Sequence, residues 1–206
     1  PQKNIRKYEN ASYGDMLRAM QDLKDIANAY NGDIKVIFYY AGHGVPNEST
    51  GDAFLLPVDA DGKQTEACYS TTRLYKELGE LNAHSVTILL DACFSGAVRG
   101  NGMLIAARGV AIKAKPSVPV GNMVVMTAAS GEQAAFPFEE KSHGMFTYFL
   151  LKKLQETKGD VTLGELGDYI RTQVAQQSIL ANGKSQTPMV YTSVAVKDKW
   201  KSEKLK

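Results

Sequence analysis

Apolar residues near the start of the chain recur at the spacing of an α-helix. Within residues 13–29 they stand at Met16, Leu17, Met20, Leu23 and Ala27. Ser12 precedes Asp15 by three residues, which is the spacing of a capping box at a helix start. The pattern therefore predicts an amphipathic helix over residues 13–29.

Three later runs are apolar and β-branched with almost no polar break, at residues 34–40, 85–91 and 123–128. Such runs are typical of parallel strands covered on both faces, so we expect 34–40 to be an interior strand. Weaker patterns predict strands at 54–58 and 188–192 and helices at 72–81, 143–156 and 162–177. Strands that alternate with helices indicate an α/β sandwich with a mainly parallel sheet. Residues 97–120 lack periodicity and are predicted to form a long loop, and the charged tail at 197–206 is expected to be frayed or helical surface.

The composition indicates a globular protein but does not indicate which kind of molecule it binds. The chain has 206 residues, of which 44% are hydrophobic and 22% charged, values typical of a globular domain and not of a disordered or coiled-coil chain. The net charge of +2 is too small to indicate nucleic acid or an anionic membrane as the main partner. The apolar runs fall far short of the roughly 20 residues that span a bilayer, and the N-terminus does not indicate a compartment.

Candidate chemistry follows two of the predicted strands, where ligands of parallel sheets gather. The first strand continues into Ala41-Gly42-His43-Gly44 and the second into Asp91-Ala92-Cys93-Phe94-Ser95-Gly96. Alone, His43 is explained as a strand-end histidine and Cys93 as a small buried hydrophobe. Together they suggest acyl transfer, because adjacent strands lie about 5 Å apart and an imidazole can take the proton of a nucleophilic thiol. The other histidines and the other cysteine are weaker candidates. His84 lies at the amino end of a strand, His143 fits the N-cap of a helix, and Cys68 has neither flanking glycines nor a strand end before it. A disulfide framework needs more than two cysteines.

These two motifs, 50 residues apart, resemble the histidine and cysteine signatures of the caspase-like cysteine peptidases, the clan of caspases, metacaspases, gingipain and clostripain. Animal caspases carry a Gln-Ala-Cys-Arg-Gly type sequence, which is absent here. The aspartate two residues before Cys93 resembles instead the metacaspases and their bacterial relatives, the orthocaspases. Residues 52–59, 127–134 and 144–147 also resemble the bacterial branch, and the resemblance spans about residues 4–193.

The resemblance implies a three-layer caspase-like fold and a cysteine endopeptidase that cuts after Arg or Lys and is able to process itself. It implies that Cys93 is the nucleophile, that His43 is the general base and acid, and that backbone N–H groups of Gly44 and Cys93 form the oxyanion hole. Asp91 would select a basic residue in the substrate, with Ser130 as a second substrate-binding residue; the alternative for Asp91 is a cap on the following turn. Two other functions stay open: an inactive caspase-fold interaction module, and an acyltransferase or amidase that uses the same dyad.

The resemblance also divides the chain and limits its ligands. It implies a large-subunit-like part at about 1–98, a linker at about 99–120 and a small-subunit-like part at about 121–196. Neither a cofactor nor a metal is expected, because Thr71, Thr72 and Gly100 stand where calcium-dependent relatives would carry acids, and only Asp52 matches.

The start of the chain matches the second strand of the fold, at residues 4–8, so the first strand and its helix are expected to be missing. We therefore expect a bound N-terminal fragment of the same precursor as a partner, besides a peptide or protein substrate. Within 97–120, the residues Arg99, Arg108, Lys113 and Lys115 are candidate sites of self-cleavage.

Overall fold

The structure, a computed structural model, describes residues 2–94, 114–130 and 133–206. The strands are β1 (Lys35–Ala41), β2 (Gly44–Pro46), β3 (Ala53–Leu55), β4 (Tyr69–Ser70), β5 (Ser85–Asp91), β6 (Met123–Thr127), β7 (Pro137–Phe138), β8 (His143–Gly144) and β9 (Met189–Thr192). The helices are α1 (Tyr13–Ala29), α2 (Thr71–Gly79), α3 (Met145–Thr157) and α4 (Leu163–Asn182). Short 3-10 helices complete the order, the first at Gln2–Asn4.

The central sheet has the strand order β1-β5-β6-β9. Strands β1, β5 and β6 are parallel, and β9 is antiparallel to β6. The register sets Ala41 beside Asp91 and Leu90 beside Thr127, so the carboxyl ends of the three parallel strands meet at one edge. The predicted mainly parallel sheet is confirmed.

Helices cover both faces of this sheet. On one face, α1 and α2 pack Met20, Leu74 and Leu78 against β5. On the other, α3 and α4 pack residues such as Phe146 and Leu166 against β6. The layers are therefore helices, sheet and helices, which confirms the predicted three-layer sandwich.

Caps explain where the two long helices begin and end. Ser12 and Asp15 form the predicted capping box, and α1 begins at Tyr13 directly after it. Thr162 and Glu165 form the same box before α4. The prediction ended this second helix at 177, but it continues to Asn182 and stops at Gly183, whose φ of 63° favours glycine.

The expectation that β1 is an interior strand covered on both faces is wrong. In the described part of the chain β1 is an edge strand, and its side chains alternate between the core and solvent. Ile37 is 52% exposed and Tyr39 45% exposed. An apolar run predicts a strand, but the burial of that strand depends on which helix lies over it. Here α3 and α4 cover β5 and β6 and leave one face of β1 exposed.

The expectation of a strand at residues 4–8 is also wrong. Asn4 ends the 3-10 helix Gln2–Asn4, and residues 5–8 follow it in irregular conformation, with the Tyr8 hydroxyl donating to Asp22 on α1 at 3.2 Å. A groove of about 220 Å³ between α1 and β1 is lined in part by Arg6 and Tyr8, so the segment forms part of the wall of this groove. A strand needs a neighbour to satisfy its N–H and C=O groups, and this segment pairs with none of the described strands.

Two smaller expectations are corrected near the C-terminus. His143 is not the N-cap of α3, because it pairs with Phe138 in the β7–β8 hairpin and Gly144 takes the cap position. The tail does not fray: Lys204 forms a bridge with Thr162, its ammonium contacts Asp160 at 2.6 Å, and Leu205 is buried. Among the helices that the structure describes, none is long and apolar enough to cross a membrane.

Candidate active site

The predicted catalytic residues His43 and Cys93 each lie two positions beyond the end of a strand, and the two strands, β1 and β5, are neighbours. Ala41 and Asp91 are partners at the last position of the β1–β5 ladder. The N–H of Gly42 then donates to the Asp91 carbonyl at 3.2 Å, which extends the pairing by one hydrogen bond. His43 and Cys93 therefore leave the sheet side by side.

Gly44 brings the two segments into direct backbone contact. A Cβ atom at this position would lie 2.6 Å from the Cys93 carbonyl oxygen and 2.5 Å from a ring carbon of Phe94. No side chain fits in that space, so the close approach requires glycine at position 44. The geometry joins the two motifs that the sequence predicts to act together.

The turn that carries His43 is fixed through its backbone. The His43 carbonyl accepts hydrogen bonds from the Leu56 N–H at 2.9 Å and from the Tyr40 hydroxyl at 2.8 Å. Directly after it, β2 pairs with β3 through Gly44 and Leu55. The half-buried imidazole is thus attached to a backbone held from both sides.

The thiol of Cys93 is buried, with the residue 3% exposed. The N–H of Ala135 donates to its Sγ atom, and the Cys93 thiol donates to the Ala135 carbonyl at 3.5 Å, so the same residue has a partner for each protonation form of the sulfur. A hydrogen bond from an N–H group favours a thiolate over a thiol, since the charged sulfur accepts more strongly. The segment around Ala135 therefore belongs to the site.

Asp91 is completely buried, and its carboxylate contacts α3. Its Oδ2 atom accepts hydrogen bonds from the Thr147 hydroxyl at 2.5 Å and from the Thr147 N–H at 3.3 Å. The Thr147 hydroxyl lies 2.7 Å from the hydroxyl of Tyr39 on β1. Asp91 therefore caps the first turn of α3 through Thr147, and its capping of the turn that follows β5 stays a prediction.

Ser130 lies at the same edge of the sheet. The N–H of Ala128 donates to the Leu90 carbonyl at 2.8 Å, so the segment after β6 starts alongside the end of β5. The Ser130 carbonyl accepts a hydrogen bond from the Gln133 N–H at 3.0 Å. The structure thus gathers His43, Asp91, Cys93 and Ser130 around the ends of three strands.

Sequence reasoning missed three contributors to this site, Thr147, Ala135 and Gln186. Thr147 is the third residue of α3; it lies in the segment 144–147 that resembles the bacterial branch, but the sequence did not indicate its contact with Asp91. Ala135 acts through its backbone, and a backbone N–H has no signature in the residue type. Gln186 reaches the site only through the tertiary fold, with its amide on Ala128 and Phe136.

The second cysteine lies outside the site. Cys68 is buried at the end of a 3-10 helix, and its Sγ donates to the Gln64 carbonyl at 3.7 Å. Burial raises the pKa of the Cys68 thiol to about 11, and the nearby carboxylates of Asp61 and Glu66 add to this rise. These surroundings are those of a buried structural cysteine, and neither Cys68 nor Cys93 forms a disulfide.

Of the residues considered for a calcium site, Thr71 and Thr72 lie together and offer hydroxyl groups, and Asp52 offers a carboxylate. Thr71 and Thr72 contact the Ser117 hydroxyl at 2.7 and 3.0 Å, and Asp52 accepts from Thr50 at 2.8 Å. Gly100 falls outside the described residues, as do Arg99, Arg108 and Lys113. Within the described ranges, no three His, Cys, Asp or Glu residues cluster as a metal site would require.

Comparisons with known proteins agree with this fold. A family model for the caspase domain matches residues 3–198. Among solved structures, protein GSU0716 of Geobacter sulfurreducens superposes with a TM-score of 0.57 at 15% sequence identity, over 89% of this chain and 74% of that one. Caspase-1 of Spodoptera frugiperda gives a TM-score of 0.53 at 13% identity, over 86% of this chain and 67% of its own. No curated protein sequence matches the chain significantly.

Proposed function

Since this chain belongs to the caspase-domain family, we propose that it is a cysteine endopeptidase of the bacterial metacaspase-like branch, cutting after Arg or Lys. Its family supports a cysteine-peptidase type of function. The observation that carries the proposal is the contact of Gly44 with the Cys93 carbonyl, because it joins the ends of β1 and β5. A histidine and a thiol then leave neighbouring strands at the place where parallel sheets hold their ligands.

The proposed reaction uses Cys93 and His43 in two steps. The Cys93 sulfur attacks the carbonyl carbon of the substrate while His43 takes the thiol proton. His43 then returns a proton to the leaving amine, and the C–N bond breaks to give a thioester. A water molecule, deprotonated by His43, hydrolyses the thioester and regenerates the thiol. The N–H groups of Gly44 and Cys93 come from the two touching segments and would stabilise the oxyanion of both steps.

The proposed preference for basic residues depends on Asp91. Its carboxylate is buried two residues before the nucleophile, and the Thr147 N–H and hydroxyl hold it there. A guanidinium or ammonium group of the substrate would pair with this charge, whereas a pocket for aspartate would need a cation in its place. Ser130 at the same edge is the proposed second contact to the substrate.

The role of Cys93 as the nucleophile is tested by removing the thiols of Cys93 and Cys68 one at a time. We expect Cys93→Ala to lower the rate of peptide cleavage by at least about a thousandfold, because the nucleophile is lost. Cys68→Ala is the matched control, and the rate should stay within about twofold of wild type since this thiol lies outside the site. Measurable cleavage by purified, folded Cys93→Ala protein would sink the assignment.

The specificity is tested with a peptide library. Substrates with Arg or Lys before the cut should exceed those with Asp by at least roughly a hundredfold, as expected when an ion pair worth about 3 kcal/mol is lost. Asp91→Asn should remove most of this difference. A preference for Asp would contradict the proposal, and binding of peptides without any cleavage would favour the interaction module.

The groove between α1 and β1 supports a second part of the proposal, the bound N-terminal fragment. The edge strand β1 and the exposed side chains of Ile37 and Tyr39 offer a surface that an extended segment and a helix would cover. Pairing with a strand at this edge would satisfy its polar groups. Mass analysis of the denatured active enzyme is expected to show a companion peptide, and a fully active single species of 22.5 kDa would contradict it.

A further inference from the structure

Gln186 is a completely buried amide that uses both of its ends. Its Nε2 donates to the Ala128 carbonyl at 2.9 Å, and its Oε1 accepts from the Phe136 N–H at 2.8 Å. Its own N–H donates at 3.0 Å to the hydroxyl of Ser178, which is buried on α4. Burying an amide is costly unless it is hydrogen-bonded, so this side chain is strongly held in one orientation.

The two atoms that Gln186 joins belong to the segments beside the nucleophile. Ala128 directly follows β6, next to the end of β5, and Phe136 directly follows Ala135. The peptide of Phe136 is also held on its other side, because its carbonyl accepts from the Met145 N–H at 3.1 Å. A second glutamine adds a parallel tether, since Gln133 Oε1 accepts from the Thr187 N–H at 2.7 Å.

We propose that Gln186 is a positioning residue, which holds residues 133–136 so that the Ala135 N–H donates to the Cys93 sulfur and stabilises its thiolate. The assignment of Cys93 as the nucleophile rests on the proposed function. The chemistry of the inference does not, because a hydrogen bond to sulfur changes the ionisation of the thiol whether or not a peptide is cut. The side-chain hydrogen bonds of Gln186 go to the backbone of Ala128 and Phe136, so it acts through the backbone of its neighbours.

The test measures the ionisation of Cys93 directly. Thiolate ultraviolet absorbance is followed against pH in protein carrying Cys68→Ala, and the titration of the Cys93→Ala, Cys68→Ala protein is subtracted. Gln186→Met keeps the size of the side chain and removes both hydrogen bonds. We expect the pKa of Cys93 to rise by about one unit in this variant, which lowers the thiolate fraction roughly tenfold below the pKa. If the wild type cleaves peptides, kcat should fall by a similar factor with KM within about twofold.

A second variant and a control separate this effect from general destabilisation. Gln133 is half-buried, and Gln133→Leu removes the hydrogen bond that its side chain accepts from the Thr187 N–H. We expect this variant to raise the pKa of Cys93 by a smaller amount than Gln186→Met does. Ser193→Ala removes a buried hydrogen bond to the Gly121 carbonyl at the opposite edge of the sheet and should leave the pKa unchanged. His43 and Asp91, the titratable side chains at the neighbouring strand ends, are the same in all these proteins.

The outcomes separate the inference from the proposed function. A thiolate midpoint that stays within about 0.3 units of wild type in the glutamine variants would overturn the inference. Faster cleavage with an unchanged midpoint would also overturn it, since residues 133–136 would then merely cover the thiol. If Gln186→Met does not fold, Gln133→Leu decides alone. A raised pKa in a protein that cuts no peptide would support the positioning role and contradict the peptidase.

Discussion

Strands β1 and β5 lie side by side, have seven residues each and carry similar apolar runs, yet they are buried to very different extents. β5 lies between β1 and β6, and every residue after Ser85 is buried. β1 lies at the edge of the described sheet and buries little beyond Val36. Cys93 thus follows a buried inner strand of the sheet, whereas His43 follows an edge strand.

This difference shows how a binding site can be anchored on one side and adjustable on the other. Cys93 inherits its position from a strand held by neighbours at both edges. His43 depends instead on the contacts of its turn, the Leu56 N–H, the Tyr40 hydroxyl and the approach of Gly44 to Cys93. Substitutions on β5 should therefore act through stability, and substitutions at the turn should act mainly through activity.

The largest effect on stability should separate two isoleucines on these strands. Ile88 on β5 is completely buried, so Ile88→Ala should lower the free energy of unfolding by about 2–5 kcal/mol through the cavity that it leaves. Ile37 on β1 is 52% exposed, and Ile37→Ala should cost less than about 1 kcal/mol. Urea unfolding of both variants checks the contrast. The contrast applies to the 206-residue chain by itself, and equal losses would mean that another segment, such as the proposed N-terminal fragment, buries β1.

A smaller effect on stability, with a clear effect on activity, is expected where the two regions touch. Gly44→Ala places a methyl group 2.6 Å from the Cys93 carbonyl and should cost about 1–3 kcal/mol while the strands separate slightly. We expect kcat/KM to fall at least about tenfold because His43 moves relative to Cys93. Gly14→Ala on α1 is the control, since its Cβ would come no closer than 3.7 Å to Ser12 and alanine favours the helix. Wild-type cleavage by Gly44→Ala protein would refute the contact as a determinant of the site.

The smallest effect is expected at Lys115, beyond β5. Its N–H donates to the Gly51 carbonyl at 2.7 Å, Ala114 before it is buried and Pro116 follows it. The Lys115–Pro116 peptide bond is held in place by these contacts and cannot extend into a peptidase site. Lys115→Gln should therefore leave the pattern of self-cleavage fragments unchanged. Replacing Arg99, Arg108 and Lys113 together by Gln should abolish the fragments that arise from cuts within residues 97–120. Mass spectrometry reads the new ends, and a fragment ending at Lys115 would contradict the expectation.

The sequence was sufficient to predict the elements of the fold that depend on local signals. Ser12 and Asp15 placed the start of α1, and the unbroken apolar run of 85–91 gave the bounds of β5. It also predicted that His43 and Cys93 follow neighbouring strands, because their glycine-flanked motifs come directly after apolar runs. The exposed face of β1 could not be predicted, since an apolar run is the same whether or not a helix covers it.

Other parts of the site depend on contacts between residues far apart in the chain. Asp91 contacts Thr147, 56 positions away, and Phe136 contacts Gln186, 50 positions away. Neither pair has a local pattern, and Ala135 contributes a backbone group that every residue except proline carries. The resemblance to a family could supply roles for the strand-end residues but not these partners.

Strands β5 and β6 pair in the central sheet although the proposed self-cleavage sites lie between them in the chain. Leu90 and Thr127, which face each other across this ladder, stand on opposite sides of residues 97–113. A cut there would turn one polypeptide into two that share a single sheet, with both strands in its buried interior. Separation would expose that interior, so the pieces would stay together as an obligate pair. Unfolding would then become a dissociation, and its midpoint would rise with protein concentration, whereas that of the uncut chain would not.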